Sequence, residues 1–399
     1  MATSKTESLT GALAFLAAVR LVVNTAQRFV YPFLPAISRG LGVSLDTAGV
    51  LVSARWGAGL ATPLLVAALG RAQARRWLMG FGLAVFAVGA AVTAASTVFV
   101  GALVGFVLMG LSKPVFDISV QSYLSDRVPY SLRARYLALM ELTWAGGLLV
   151  GAPLAGFLID RAGWRAPFWV ITGLVAVALV LQVRILEAVA AGPAATSAPM
   201  RWDRSALGLL AVIALFSSAT EIVFVAFGAW LESEFALTLV ALGGTAVLVG
   251  IVELSAEGSA AAFTDRIGKR NSVGVGVLTA AIGFGLLAVF DDHYVLGMAC
   301  MLVGFAGFEF SIVSSIPLAT GVHPTDRVKY LSWIVVAMSV GRGLGALAAA
   351  PVFTAAGMSM NAVVAAFANI VAFVILVAWV RESAEHRAAS GHTAGEDGC

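Results

Sequence analysis

Apolar residues along this chain run in blocks of about 20, the length that crosses a bilayer as a helix, and polar turns separate them. Strict apolar–polar alternation over about 10 residues, the mark of a membrane barrel strand, is missing, so the blocks read as helices. Twelve are expected, at 11–36, 45–68, 77–97, 100–124, 135–159, 166–187, 206–231, 239–262, 272–290, 294–319, 330–354 and 359–381. They are called spans 1 to 12 below. An even number returns both termini to one side.

The blocks come in two similar sets. At an offset of 194 residues Gly49 matches Gly243, Gly110 matches Gly304, and Tyr136 and Leu137 match Tyr330 and Leu331. Gly147, Gly151 and Gly163 match Gly341, Gly345 and Gly357 in the same way, and Arg75 and Arg76 fall opposite Lys269 and Arg270. The expected organisation is therefore all-α, with six spans in residues 1–187, a linker at 188–204, six spans in 205–382 and a polar tail at 383–399. Two halves in one orientation form a parallel repeat about an axis along the membrane normal.

Composition agrees with a bilayer. The chain is 60% hydrophobic and 12% charged, with a mean hydropathy of +0.94, too apolar for a water-soluble domain. The basic residues lie in short loops rather than on one face, which makes them topology charge and argues against nucleic acid. Arg71, Arg75, Arg76, Arg127, Arg266, Lys269, Arg270 and Lys329 fall on one side, against Arg39, Arg161 and Arg165 on the other. The positive-inside rule then places both termini in the cytoplasm, in a multi-pass protein of the cell membrane. No cleavable leader is read at the N-terminus. The two cysteines and four histidines offer no ligand spacing, so neither a metal nor another cofactor is expected. Nor do they supply a nucleophile–base pair, so the chain is not read as an enzyme.

The turn Asp265-Arg266-Ile267-Gly268-Lys269-Arg270 resembles the loop signature between spans 8 and 9 of the major facilitator superfamily of secondary transporters. The likeness covers nearly the whole chain. It implies that Asp265, Arg266, Gly268, Lys269 and Arg270 latch the two halves in one access state. The loop between spans 2 and 3 departs from the signature, with Arg71 in the aspartate's place and Ala74 in the glycine's, so the latch is expected to be asymmetric. In span 5, Gly147 to Gly156 is similar to the glycine-rich signature of the family's antiporters, with Pro153 one place late and Ala155 for a glycine. The same small residues would also let helices pack closely. Tyr31-Pro32-Phe33-Leu34-Pro35 is similar to a sequence of the drug–proton antiporter branch, although Phe106 stands where that branch carries an arginine in span 4.

Ten charged residues fall more than five residues from either end of a span: Arg20, Arg28, Arg55, Lys113, Asp117, Glu141, Glu221, Glu253, Glu309 and Arg342. A charge at bilayer centre costs about 2.5–3.5 kcal/mol on insertion scales, so these must face the interior or a wet cavity. On span 1, Arg20, Asn24, Gln27, Arg28 and Tyr31 share a helix face; on span 4, Lys113, Asp117 and Gln121 do. In the resembled fold spans 1, 4, 7 and 10 line the cavity, and spans 7 and 10 bring Glu221 and Glu309. Arg20, Asn24, Gln27, Arg28, Tyr31, Arg55, Lys113 and Gln121 are the candidate substrate-binding residues, because guanidinium suits carboxylate and phosphate. Asp117, Glu221 and Glu309 are the candidate proton-coupling residues, since a dry carboxylate keeps its proton and one beside an arginine releases it. Lys113 and Asp117, one turn apart, can equally be a structural pair. Glu141 is expected to meet loop arginines such as Arg133, and Arg342 can serve packing or substrate.

The function expected is proton-coupled secondary transport by rocker-switch alternating access, exporting a small amphiphilic or anionic compound. The alternatives are a lipid or glycolipid flippase or lysolipid transporter of the same fold, and a non-transporting membrane sensor. The expected partners are the substrate, protons and membrane lipid, with the single chain as the working unit.

Overall fold

The computed structural model describes residues 2–61, 75–128, 130–186, 202–322 and 327–381, with backbone alone at 2–10, 75, 126, 130–135, 137–138 and 327–328. Among the described residues nine helices are long and apolar enough to cross a membrane, or ten if a bent pair is counted as one span. That pair is span 1, Ala2–Arg28 followed by Val30–Leu41, bent by 55° at Phe29 where one continuous helix was expected. Pro32 and Pro35 explain the break, because neither can donate to the carbonyl four residues earlier. Spans 11 and 12 run together as Arg327–Trp379, interrupted by the non-helical Gly357. Span 2 is described as Leu45–Gly59 followed by a turn at Leu60 and Ala61; the rest of its expected length, 62–68, lies outside the described residues, as does the Arg71 turn. Spans 3, 4 and 6 are Arg75–Ala95, Phe99–Arg127 and Ala166–Ile185. Spans 7 to 10 are Arg204–Phe235, Leu239–Ile267, Lys269–Phe290 and Tyr294–Val322.

Local chemistry sets several ends. Ser44 accepts the Thr47 amide at 3.2 Å and opens span 2, and Asp203 accepts the Ala206 amide at 2.6 Å and opens span 7. Gly42 closes span 1 in the left-handed region, its N–H turned to Ser38 and Arg39 carbonyls. The position 194 residues on holds Ala236, the one described non-glycine with positive φ, at 52°. An alanine there costs roughly 1–2 kcal/mol of steric strain. Ala236→Gly is therefore expected to raise thermal stability by about 0.5–1 kcal/mol after glycine's greater chain entropy is subtracted. A melting midpoint in detergent that falls instead would show that the strain is absorbed elsewhere.

Span 5 is divided in three: Tyr130–Gly146, a π turn over Gly147–Gly151, and Ala152–Ala162. The Ala152 N–H reaches back to the Gly147 carbonyl, and Pro153 follows with no N–H to restore the α pattern. Gly147 lies against the backbone of Asn24, so that an added Cβ would stand 3.2 Å from its carbonyl carbon. In the second repeat Gly341 meets the Ala214 carbonyl of span 7, where the same atom would stand at 2.1 Å. The glycines thus act as close helix contacts.

The chain forms two compact units, Met1–Thr196 with Phe224–Ile251, and Ser197–Val223 with Val252–Cys399. Within the first, Gly228 packs on Pro32 and Gly243 on Pro153, so the stretch 224–251 lies on spans 1 and 5. Within the second, a core of Val212, Phe216, Phe308, Leu318, Tyr330 and Leu376 joins spans 7, 10, 11 and 12. Each unit carries the same staple. Arg76 donates to the carbonyls of Val183 and Leu186 at 3.3 and 3.1 Å, and Arg270 to those of Leu376 and Val377 at 3.4 and 2.7 Å. A guanidinium at a helix C-terminus satisfies orphan carbonyls and complements the helix dipole.

Candidate functional site

In the first unit span 1 supplies the stripe expected of it. Arg20, Asn24, Gln27, Arg28 and Tyr31 are all buried. Arg20 donates through Nε to Asp117 Oδ1 at 3.2 Å and through Nη2 to Glu141 Oε1 at 3.0 Å. Lys113, one turn before Asp117, bonds its other oxygen. Two cations and two carboxylates from spans 1, 4 and 5 form one network. The loop residue Arg133, expected to meet Glu141, has its side chain outside the described set; Glu141 meets Arg20. The reason is geometric: the Gly147 contact draws span 5 onto span 1 at Asn24, and Asn24 Nδ2 bonds Thr143 Oγ1 at 3.0 Å beside it.

A second group surrounds the bend of span 1. Arg55 of span 2 donates to the Gln27 carbonyl at 2.9 Å and to the Tyr31 hydroxyl at 3.3 Å, which also accepts from Trp56 Nε1 at 3.2 Å. The Arg55 guanidinium also lies 5.8 Å from the Phe106 ring, so a cation reaches the Phe106 position from the neighbouring helix. Arg28 sits over Trp144 at 4.5 Å and Phe224 at 5.4 Å, and Lys113 over Trp144 at 5.4 Å. Such contacts favour a desolvated cation. Gln121, one turn after Asp117 on span 4, is exposed.

In the second unit Arg342 Nη1 bonds Glu221 Oε2 at 3.1 Å, with side-chain exposures of 7% and 0%. The guanidinium lies 5.0 Å from the Phe308 ring, and Gly345 packs against Ser218 and Glu221 Cβ, which brings span 11 against span 7. Arg342 is thus ion-paired beside a close helix contact, an arrangement that fits both readings of it. Glu309, next to Phe308, is buried, as is Glu253. Asp265 and Arg266 are exposed; Gly268 turns the chain with a φ of 90°, and Arg270 serves the end of span 12.

Sequence reasoning named Arg20, Lys113 and Asp117, which the structure bonds together, and Gln27, Tyr31 and Arg55, which it brings together from two spans. It missed the contributions of Thr143, Trp144 and Phe224, which carry no charge to mark them. The charged positions also break the repeat. Opposite Arg20, Asp117 and Glu141 stand Ala214, Ser311 and Val335, and opposite Arg342 stands Leu148. The glycine scaffold is duplicated and the ion network is not.

A duplicated set of membrane helices carrying ion pairs inside the spans defines an integral membrane protein with the build of a secondary transporter. The chain matches the Major Facilitator Superfamily profile over residues 16–252, more than half its length, and belongs to that family. It is 28% identical over 352 residues to a chloramphenicol resistance protein of Streptomyces lividans, which covers 85% of this chain and 88% of that one. It is also 28% identical over 148 residues to an uncharacterised MFS-type transporter, YwfA, of Bacillus subtilis, there spanning only 34% of the relative's length. Among solved structures a bacterial homologue of the lysosomal transporter Spinster superposes with a TM-score of 0.74 at 13% identity, over 92% of this chain and 95% of that one. The human organic anion transporter MFSD10 gives 0.70 at 18%, over 92% and 99%. These structures share the twelve-helix fold.

Proposed function

We propose that this transporter is a proton-coupled exporter of a small amphiphilic or anionic compound, working by alternating access in the cell membrane with both termini in the cytoplasm. The observation that carries the reading is the ion network itself. Arg20, Lys113, Asp117 and Glu141 are bonded inside one unit, and Glu221 and Arg342 inside the other. A scaffold needs neither, and buried ion pairs bring little net stability, so their presence is best understood as work done on charge. Protonation of a carboxylate removes the charge that holds its cation. One proton can therefore loosen a contact between helices without any covalent step. The likeness to a chloramphenicol resistance protein along 85% of the chain supports export as the direction.

The test compares Asp117→Asn, Glu221→Gln and Glu309→Gln in proteoliposomes carrying an imposed pH gradient, with chloramphenicol and amphiphilic dyes as probes. At least one variant is expected to lose gradient-driven accumulation while still exchanging probe across the membrane without a gradient. Full gradient-driven transport by all three would remove proton coupling through these groups.

A further inference from the structure

The carboxylates on Arg20 differ sharply in how firmly they are held. Asp117 takes two cations, Arg20 and Lys113, and its side chain is 17% exposed. Glu141 takes a single bond to Arg20, and its side chain is 52% exposed. That exposure is not on the outer surface of span 5. The exposed stripe of the span is Leu139, Leu142, Val150, Leu154 and Phe157, whereas Glu141 shares a face with Ala145 and Leu148, both fully buried. Glu141 thus marks the place where the packed face of the span opens. Arg20 itself is 5% exposed, and its Nη1 is buried with no hydrogen-bond partner among the described residues. A buried guanidinium nitrogen left without an acceptor is costly, and a carboxylate can take two of its nitrogens at once.

We propose that Glu141 is an internal stand-in for the substrate: it occupies Arg20 until a carboxylate of the transported compound displaces it and binds Arg20 through Nη2 and the open Nη1. The inference rests on the exporter reading above and names the anionic members of its substrate range, small monocarboxylates with an apolar or aromatic body. The charge count supports one carboxylate. With Glu141 withdrawn, Arg20 and Lys113 stand against Asp117 alone, a surplus of one positive charge. Trp144, one turn after Glu141 on the same face, carries Arg28 and Lys113 over its ring and is partly exposed, so the part of the indole left open is apolar surface for the body. Lys113 cannot replace Arg20 in this role, because an ammonium lacks the planar fork.

A competitor that is weakened makes the true ligand bind more tightly, so the proposal predicts a gain. Binding of benzoate, with benzamide and benzylamine as its neutral and cationic counterparts, would be measured by calorimetry on the purified full-length protein. Glu141→Gln is expected to tighten benzoate binding about tenfold, the loss of one charge-assisted competing hydrogen bond, and to leave benzamide unchanged. Arg20→Gln is expected to abolish benzoate binding. Should that variant not fold, Arg20→Lys, which keeps the charge, is expected to weaken it about tenfold or more. Unchanged or weaker benzoate binding in Glu141→Gln, or tighter binding of benzylamine than of benzoate by the wild type, would overturn it. Gradient-driven transport of chloramphenicol by the wild type reads the exporter function separately, so a failure of one is distinguishable from a failure of the other.

Discussion

Arg342→Ala is expected to destabilise the protein by about 3–5 kcal/mol, the cost of removing one partner from a buried ion pair. The guanidinium it removes bonds a carboxylate with no solvent exposure, so water cannot take over the contact. Glu221→Ala is expected to cost a similar amount for the mirrored reason. The pair itself brings little net stability, because both charges were stripped of water to form it. Replacing both by methionine should therefore restore most of the loss, and the cycle closed with the Arg342→Met and Glu221→Met single variants should give a coupling of several kcal/mol. Thermal unfolding in detergent checks these variants together. If the double variant lost as much as the sum of the singles, the two residues would be acting independently and the pairing would not matter for folding. Transport should be lost in each, which separates the role of the pair in the cycle from its role in the fold.

The second large effect lies in the helix contacts. Gly341→Ala places a Cβ 2.1 Å from the Ala214 carbonyl oxygen, a backbone atom that cannot move without its helix. Overpacking of this kind costs about 1–3 kcal/mol and more when backbone must shift. Gly147→Ala, at the matching position, meets its nearest atom at 3.2 Å and should cost clearly less. Equal losses at the two positions would mean that the units relax differently from what their contacts imply.

These glycines explain why the fold was legible in the chain. Close approach of two helices demands the absence of a side chain at the contact, so a duplicated fold keeps its glycines in register even where everything else has drifted. Gly163 and Gly357 stay in register for a different reason, their positive φ of 80° and 74°, since nothing stands within 4 Å of an added Cβ at either. Gly42 and Ala236 show the limit of that signal, since the backbone conformation persists where the residue has changed.

The site was less legible. Periodicity placed Arg20 on an inner face, but which carboxylates it meets depends on how spans 4 and 5 lie against span 1, and no local pattern encodes that. Glu141 read as a loop partner because it stands near a basic turn. The π turn and the Gly147 contact, several residues further along, bring its helix to Arg20, a partner that nearness in sequence does not show. Arg76 and Arg270 were legible as matched basic residues, but not as staples. Their acceptors are backbone carbonyls over 100 residues away in sequence, and carbonyls carry no signature.

Proton coupling is the claim on which the rest of the functional account depends, and uptake into proteoliposomes across an imposed pH gradient addresses it most directly. With the wild type in acid-loaded vesicles, chloramphenicol or a transported dye is expected to accumulate above its external concentration. It should then leak back when an ionophore collapses the gradient. Accumulation of the same size with and without the gradient would contradict the account.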